Sequence, residues 1–79
     1  MSDKLNKQRN EYFKDTVVPE LKKEGIHIKV LNGGSYRLLK GMRTLDYYPA
    51  SGKYHNIVTN VRGILTEGTS EELIVIFNQ

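Results

Sequence analysis

The chain has 79 residues, of which 38% are hydrophobic and 27% charged, with no cysteine and a formal net charge of +3. That length sets one domain over residues 1–79, and the missing thiols exclude disulfides and thiolate metal sites. No apolar run approaches the roughly 18 residues of a membrane helix, and Met1-Ser2-Asp3-Lys4 does not open a signal peptide.

Residues 3 to 24 predict a long helix. Leu5, Tyr12, Phe13, Val17 and Leu21 recur as one apolar stripe. Ser2 or Asp3 suits the N-cap, and Gly25 suits the turn after the C-terminus. Pro19 interrupts the pattern. Its ring collides with the carbonyl of Asp15, so the helix is expected to kink or restart there. The stripe is expected to pack on Ile26, Ile28, Val30 and Leu38.

Strands follow. Ile26, Ile28 and Val30 alternate with His27 and Lys29, the pattern of a half-buried strand. Asn32-Gly33-Gly34-Ser35 predicts a hairpin turn into a return strand, Tyr36 to Lys40. Gly41-Met42 marks the next turn. Residues 43 to 48 and 53 to 58 predict a third and a fourth strand. Between them Pro49 presets the turn's φ, and Gly52 supplies a left-handed residue at its end. Residues 59 to 69, with Thr59, Asn60, Gly63 and Gly68, read as turns. The fold expected is therefore α+β: a long N-terminal helix on a four-stranded antiparallel meander, with a short C-terminal element. Leu73 to Phe77 suits a buried strand by composition. Thr69-Ser70-Glu71-Glu72 before it has the spacing of a capping box, which favours a helix.

Charge is unevenly placed. Residues 25–65 carry Lys29, Arg37, Lys40, Arg43, Lys53 and Arg62 against Asp46 alone, whereas residues 66–79 carry only Glu67, Glu71 and Glu72. A basic sheet attracts polyanions or an acidic protein surface; the plainer reading is a solvated strand face. Four tyrosines, Tyr36, Tyr47, Tyr48 and Tyr54, are interleaved with these cations. Adjacent Tyr47 and Tyr48 must point to opposite faces. Exposed aromatics among cations stack on bases or anchor a protein partner; tyrosines also cover the edges of small cores. The candidate binding residues are Arg37, Lys40, Arg43, Tyr47, Tyr48, Lys53, Tyr54 and Arg62.

Chemistry-bearing patterns are few. His27 and His55 are the only imidazoles, and Asp46 is the only acid in the sheet region. No nucleophile has a flanking motif, and metal-ligand spacing is absent. Ser51-Gly52-Lys53 lacks both the upstream glycine and the following Ser or Thr of a phosphate loop. The expectation is a non-enzyme without cofactor or metal. Dimerisation is one route by which so small a chain adds buried area.

Gly25-Ile26-His27-Ile28, Tyr36-Arg37-Leu38, the ten residues from Leu45 to Tyr54, and Arg62-Gly63 together resemble a class of small bacteriophage and prophage proteins. These carry an aspartate, two aromatics, proline, small hydroxyl-bearing residues, glycine, a base and an aromatic. The resemblance spans residues 25–64, and the acidic stretch Glu67 to Glu72 departs from it. It implies a source rather than an activity: a phage accessory protein, cytoplasmic in a bacterial host, that binds and modulates a host protein. Weak, sequence-tolerant nucleic-acid binding is the alternative. In outline, helix–meander–helix also resembles the double-stranded-RNA-binding fold, without that fold's basic helix-start residues.

Overall fold

A computed structural model describes residues 2–79 of the chain, with side chains from Lys7 onward. The expected Ser2 or Asp3 cap and the Leu5 end of the stripe lie outside the described side chains.

The N-terminal helix runs from Ser2 to Lys23 in three continuous pieces: α1 (Ser2–Tyr12), a π-helical turn (Phe13–Val17) and α2 (Val18–Lys23). Pro19 explains the middle piece. It has no N–H to give the Asp15 carbonyl, and its ring needs room there. The turn widens so that Val18 N–H bonds back to Phe13 O, five residues away. The helix therefore continues past Pro19 without breaking.

A single antiparallel sheet follows: β1 (His27–Val30), β2 (Tyr36–Lys40), β3 (Arg43–Tyr48), β4 (Lys53–Asn56) and β5 (Val61–Ile64), in the spatial order of the chain. The α+β class stands, but the meander has five strands, not four. The fifth lies inside the run read as turns. Two features make it possible. Asn56 Oδ1 accepts from the N–H groups of Val58 and Thr59 at 3.0 and 3.2 Å, and Asn60 takes φ of +59°, which closes the loop early. Gly63, which weakens a strand by itself, stands opposite Tyr54. The Tyr54 ring lies over it, so that a Cβ there would fall 2.6 Å from the Tyr54 hydroxyl. The aromatic covers the missing side chain.

The C-terminal element is a helix, α3 (Ser70–Phe77). Both halves of the capping box form: Glu72 N–H donates to Thr69 Oγ1, and Thr69 N–H to Glu72 Oε1. Ser70 Oγ donates to Glu20 Oε2 at 2.7 Å, tying α3 to α2.

All helices pack on one face of the sheet. Phe13, Val17 and Leu21 meet Ile26, Tyr36, Leu38, Leu45 and Tyr47, with Leu73, Ile76 and Phe77 of α3 closing the core. The Phe13 ring is 4.7 Å from that of Tyr36 and 5.3 Å from that of Tyr47. Two expected core members are displaced. Tyr12 is 43% exposed, because adjacent Phe13 takes the inward position. Val30 is 72% exposed, at the edge of the sheet where the helix no longer covers it. Among the described residues no helix is long and apolar enough to cross a membrane.

Candidate functional site: the open face of the sheet

The hairpin between β3 and β4 sets the register of the open face. Gly52 sits at φ of +78°, and its N–H donates to Tyr48 O at 2.8 Å. A Cβ at Gly52 would lie 2.5 Å from Leu65 O, because the Leu65 N–H bonds back to Gly52 O at 2.8 Å. The turn therefore clamps the chain leaving β5 as well as joining β3 to β4.

From this turn Tyr48 pairs with Lys53, Tyr47 with Tyr54, Asp46 with His55 and Leu45 with Asn56. Residues alternate between faces. Tyr36, Leu38, Leu45, Tyr47 and Asn56 face the helices. Lys29, Arg37, Asp46, His55 and Arg62 form one row across all five strands on the other face, each opposite the next. Tyr48, Lys53 and Ile64 form a second row beside it.

This register sorts the eight sequence candidates. Arg37, Tyr48, Lys53 and Arg62 share the open face. Lys40 and Arg43 are on the helix side, and each closes a helix C-terminus. Lys40 Nζ donates to Glu24 O at 2.7 Å, at the end of α2. Arg43 Nη1 donates to Phe77 O and Gln79 O, at 3.3 and 2.6 Å, at the end of α3. Cations suit those positions, where helix carbonyls lack partners. Tyr47 is 2% exposed and belongs to the core. Burial pushes its phenol pKa up, while Arg9 opposes the shift. Tyr54 is half-buried over Gly63. Sequence reading missed Lys29, His55 and Ile64 as members of the face; the period of two was the signal that identifies them.

The electrostatics of the face are lopsided. Arg37 binds Asp46 with two bonds, Nε to Oδ1 at 2.8 Å and Nη2 to Oδ2 at 3.1 Å. The hydrogen bond and charge of Asp46 raise the Arg37 pKa. This is the one ion pair among the described residues. It uses the only acid in the row, so Lys29, Lys53 and Arg62 have no carboxylate partner there. A depression of about 710 Å³ opens beside Lys53 and Arg62, lined also by Asp46, Tyr48, Ser51, Tyr54, His55 and Ile64. His55 stands opposite Asp46, one of the two acid–base pairings the sequence offers, the other being His27 with Asp46. His55 and Asp46 do not bond: Asp46 gives both oxygens to Arg37, and His55 Nε2 lies 2.9 Å from Asn60 Oδ1. Among the described residues no cluster of His, Cys, Asp and Glu is disposed to hold a metal ion.

Neither a protein-family model, nor a curated protein, nor a solved structure matches this chain.

Proposed function

We propose that this protein is a binding module whose open sheet face engages an acidic protein surface. The observation that supports it is the unpaired basic rim of the depression: Lys53 and Arg62 beside exposed Tyr48, on a face no helix covers. Tyrosine and arginine are the side chains that most often carry binding energy at protein interfaces, and complementary charge steers the encounter. With the phage resemblance, the partner class is a host bacterial protein whose activity the small protein modulates. Capture from a bacterial lysate tests this, with Tyr48→Ala and Lys53→Ala as controls. A partner retained equally by both variants places the contact elsewhere.

The cross-strand row favours a second reading, nucleic-acid binding. It crosses five strands, about 19 Å, and offers cations to a phosphate backbone. Sequence-tolerant stacking needs several exposed aromatics, and of the two tyrosines beside the depression only Tyr48 is exposed, Tyr54 being half-buried. Protein is therefore the preferred partner. Titration of labelled single- and double-stranded oligonucleotides at two salt concentrations separates the two, since phosphate binding weakens steeply with salt.

A further inference from the structure

The first edge of the sheet differs from the open face in leaving backbone groups unpaired. Strand β1 pairs only with β2, so its other edge has no neighbour in the sheet. Leu31 N–H donates to Ser35 O at 2.9 Å, continuing the register in which Lys29 faces Arg37 and His27 faces Leu39. Bonded and non-bonded pairs alternate along an antiparallel ladder. Lys29 and His27 therefore bond inward to β2, and Ile28 and Val30 turn their N–H and C=O groups to the free edge.

The side chains of those same two residues line a groove. It has a volume of about 320 Å³ and runs between β1 and the N-terminal helix, lined by Lys14, Val18, Lys22, Ile28, Val30 and Tyr36. Its floor is apolar. Val18 and Ile28 are only partly buried, and Val30 is largely exposed. Lys14 and Lys22 flank Val18 along the helix, and no acidic side chain lines the groove. A strand laid against β1 would place the residues opposite Ile28 and Val30 on the groove side, and the residue opposite Lys29 on the open face.

We infer that this edge accepts an extended segment of a partner protein by strand addition, with apolar residues opposite Ile28 and Val30 and acidic residues opposite Lys29 and toward Lys14 and Lys22. Backbone bonds supply the attachment and the groove supplies the selection, the division of labour general to strand-addition sites. The charges point away from a second copy. Antiparallel self-pairing centred on Lys29 sets lysine against lysine. Like charges directly opposite each other destabilise a pair, and a lysine on an edge strand guards against self-addition. An acidic strand reverses that penalty. The other edge, β5, is equally short, and the depression beside it, lined by Arg62, Gly63 and Ile64, opens on the uncovered face rather than along a helix.

The test uses the full chain, nitrogen-15 labelled, and the terminally blocked peptide Glu-Thr-Val-Glu-Val-Thr-Glu. The expected result is saturable shifts of the Ile28 and Val30 amide signals, with slowed hydrogen exchange at both. The same peptide methylated on both valine nitrogens loses the response, because those nitrogens would bond to β1. Lys14→Glu combined with Lys22→Glu, both on the exposed helix surface, weakens the acidic peptide about tenfold and gains binding of its lysine counterpart. The inference is overturned if the Ile28 and Val30 signals do not saturate at millimolar peptide, or if the methylated peptide binds equally well. It is overturned equally if the same shifts arise on concentrating the protein alone, which would assign the edge to a second copy.

Discussion

The two faces of the sheet are made from the same strands and differ only in which alternate residues they take. One face holds Tyr36, Leu38, Leu45 and Tyr47 under three helical pieces. The other holds Arg37, Asp46, His55 and Arg62 in the open. On the covered face polar groups are tied down: Asn56, 2% exposed, donates to Ile76 O at 2.8 Å and accepts from its own turn. On the open face Lys29, Lys53 and Arg62 lack acidic partners. The difference separates the two jobs of a small domain. If the open face is the binding surface proposed above, stability resides on one side of the pleat and recognition on the other, and substitutions on the two sides should sort accordingly.

The largest effect is expected at Phe13. It is 1% exposed and touches both Tyr36 and Tyr47. Phe13→Ala should cost about 3–5 kcal/mol, comparable to the whole margin of so small a domain. The circular dichroism melt should show no folded baseline at ambient temperature; an unchanged Tm would refute this packing.

Gly52→Val comes next, because the turn serves both faces. The left-handed backbone alone costs roughly 1–2 kcal/mol for a side chain, and Leu65 O stands where the Cβ must go. A fall in Tm of about 10 °C is expected, together with loss of partner capture, since Tyr48 and Lys53 take their register from this turn. Ala50→Ser leaves the backbone requirement alone and should change neither. A Gly52→Val protein that melts normally and still captures its partner would remove the turn's organising role.

A smaller effect is confined to alkaline pH. Burial holds the Tyr47 phenol protonated above its ordinary value near 10. The unfolded chain releases that proton first, so stability falls as pH rises through about 10. Tyr47→Phe should flatten that part of the slope, and Arg9→Ala should steepen it, because Arg9 favours the phenolate. Urea melts at pH 8 and pH 11 measure both; parallel slopes in all three proteins would show that the phenol titrates as if exposed.

Much of this was legible in the residues. The alternation of Ile26, Ile28 and Val30, the Thr69–Glu72 box and the left-handed Gly52 each follow from local chemistry, and each appears in the structure. Burial of Val30 did not follow, because alternation gives a face and not the width of the helix above it. Strand β5 was hidden because Asn60 and Gly63 are both turn residues by type. What rescues Gly63 is Tyr54, nine residues earlier, and no local pattern contains that pairing. The site was blurred for a different reason. Lys40 shares parity with Leu38, and Arg43 with Leu45, so period two already assigns both to the helix side. Composition draws them to the basic patch instead. Their true partners, carbonyls at the ends of α2 and α3, become visible only in three dimensions.

The smallest effect on stability is the most informative about function. Tyr48 is 43% exposed, and Lys53 projects into water from the same row. Neither side chain has a hydrogen bond or an ion pair among those described for this face. Tyr48→Ala and Lys53→Ala should each shift stability by no more than about 0.5 kcal/mol, the ordinary range for surface positions. Binding should respond differently. If Tyr48 is the aromatic anchor, its removal should weaken partner capture by at least about thirtyfold, equivalent to the roughly 2 kcal/mol of an interface hot spot. Lys53, at the rim, should act mainly on the association rate and on salt dependence. Capture measured beside thermal melts decides between the faces. Variants that melt normally and lose the partner place recognition on the open face. Variants that lose both show that the division between the two sides of the pleat does not hold.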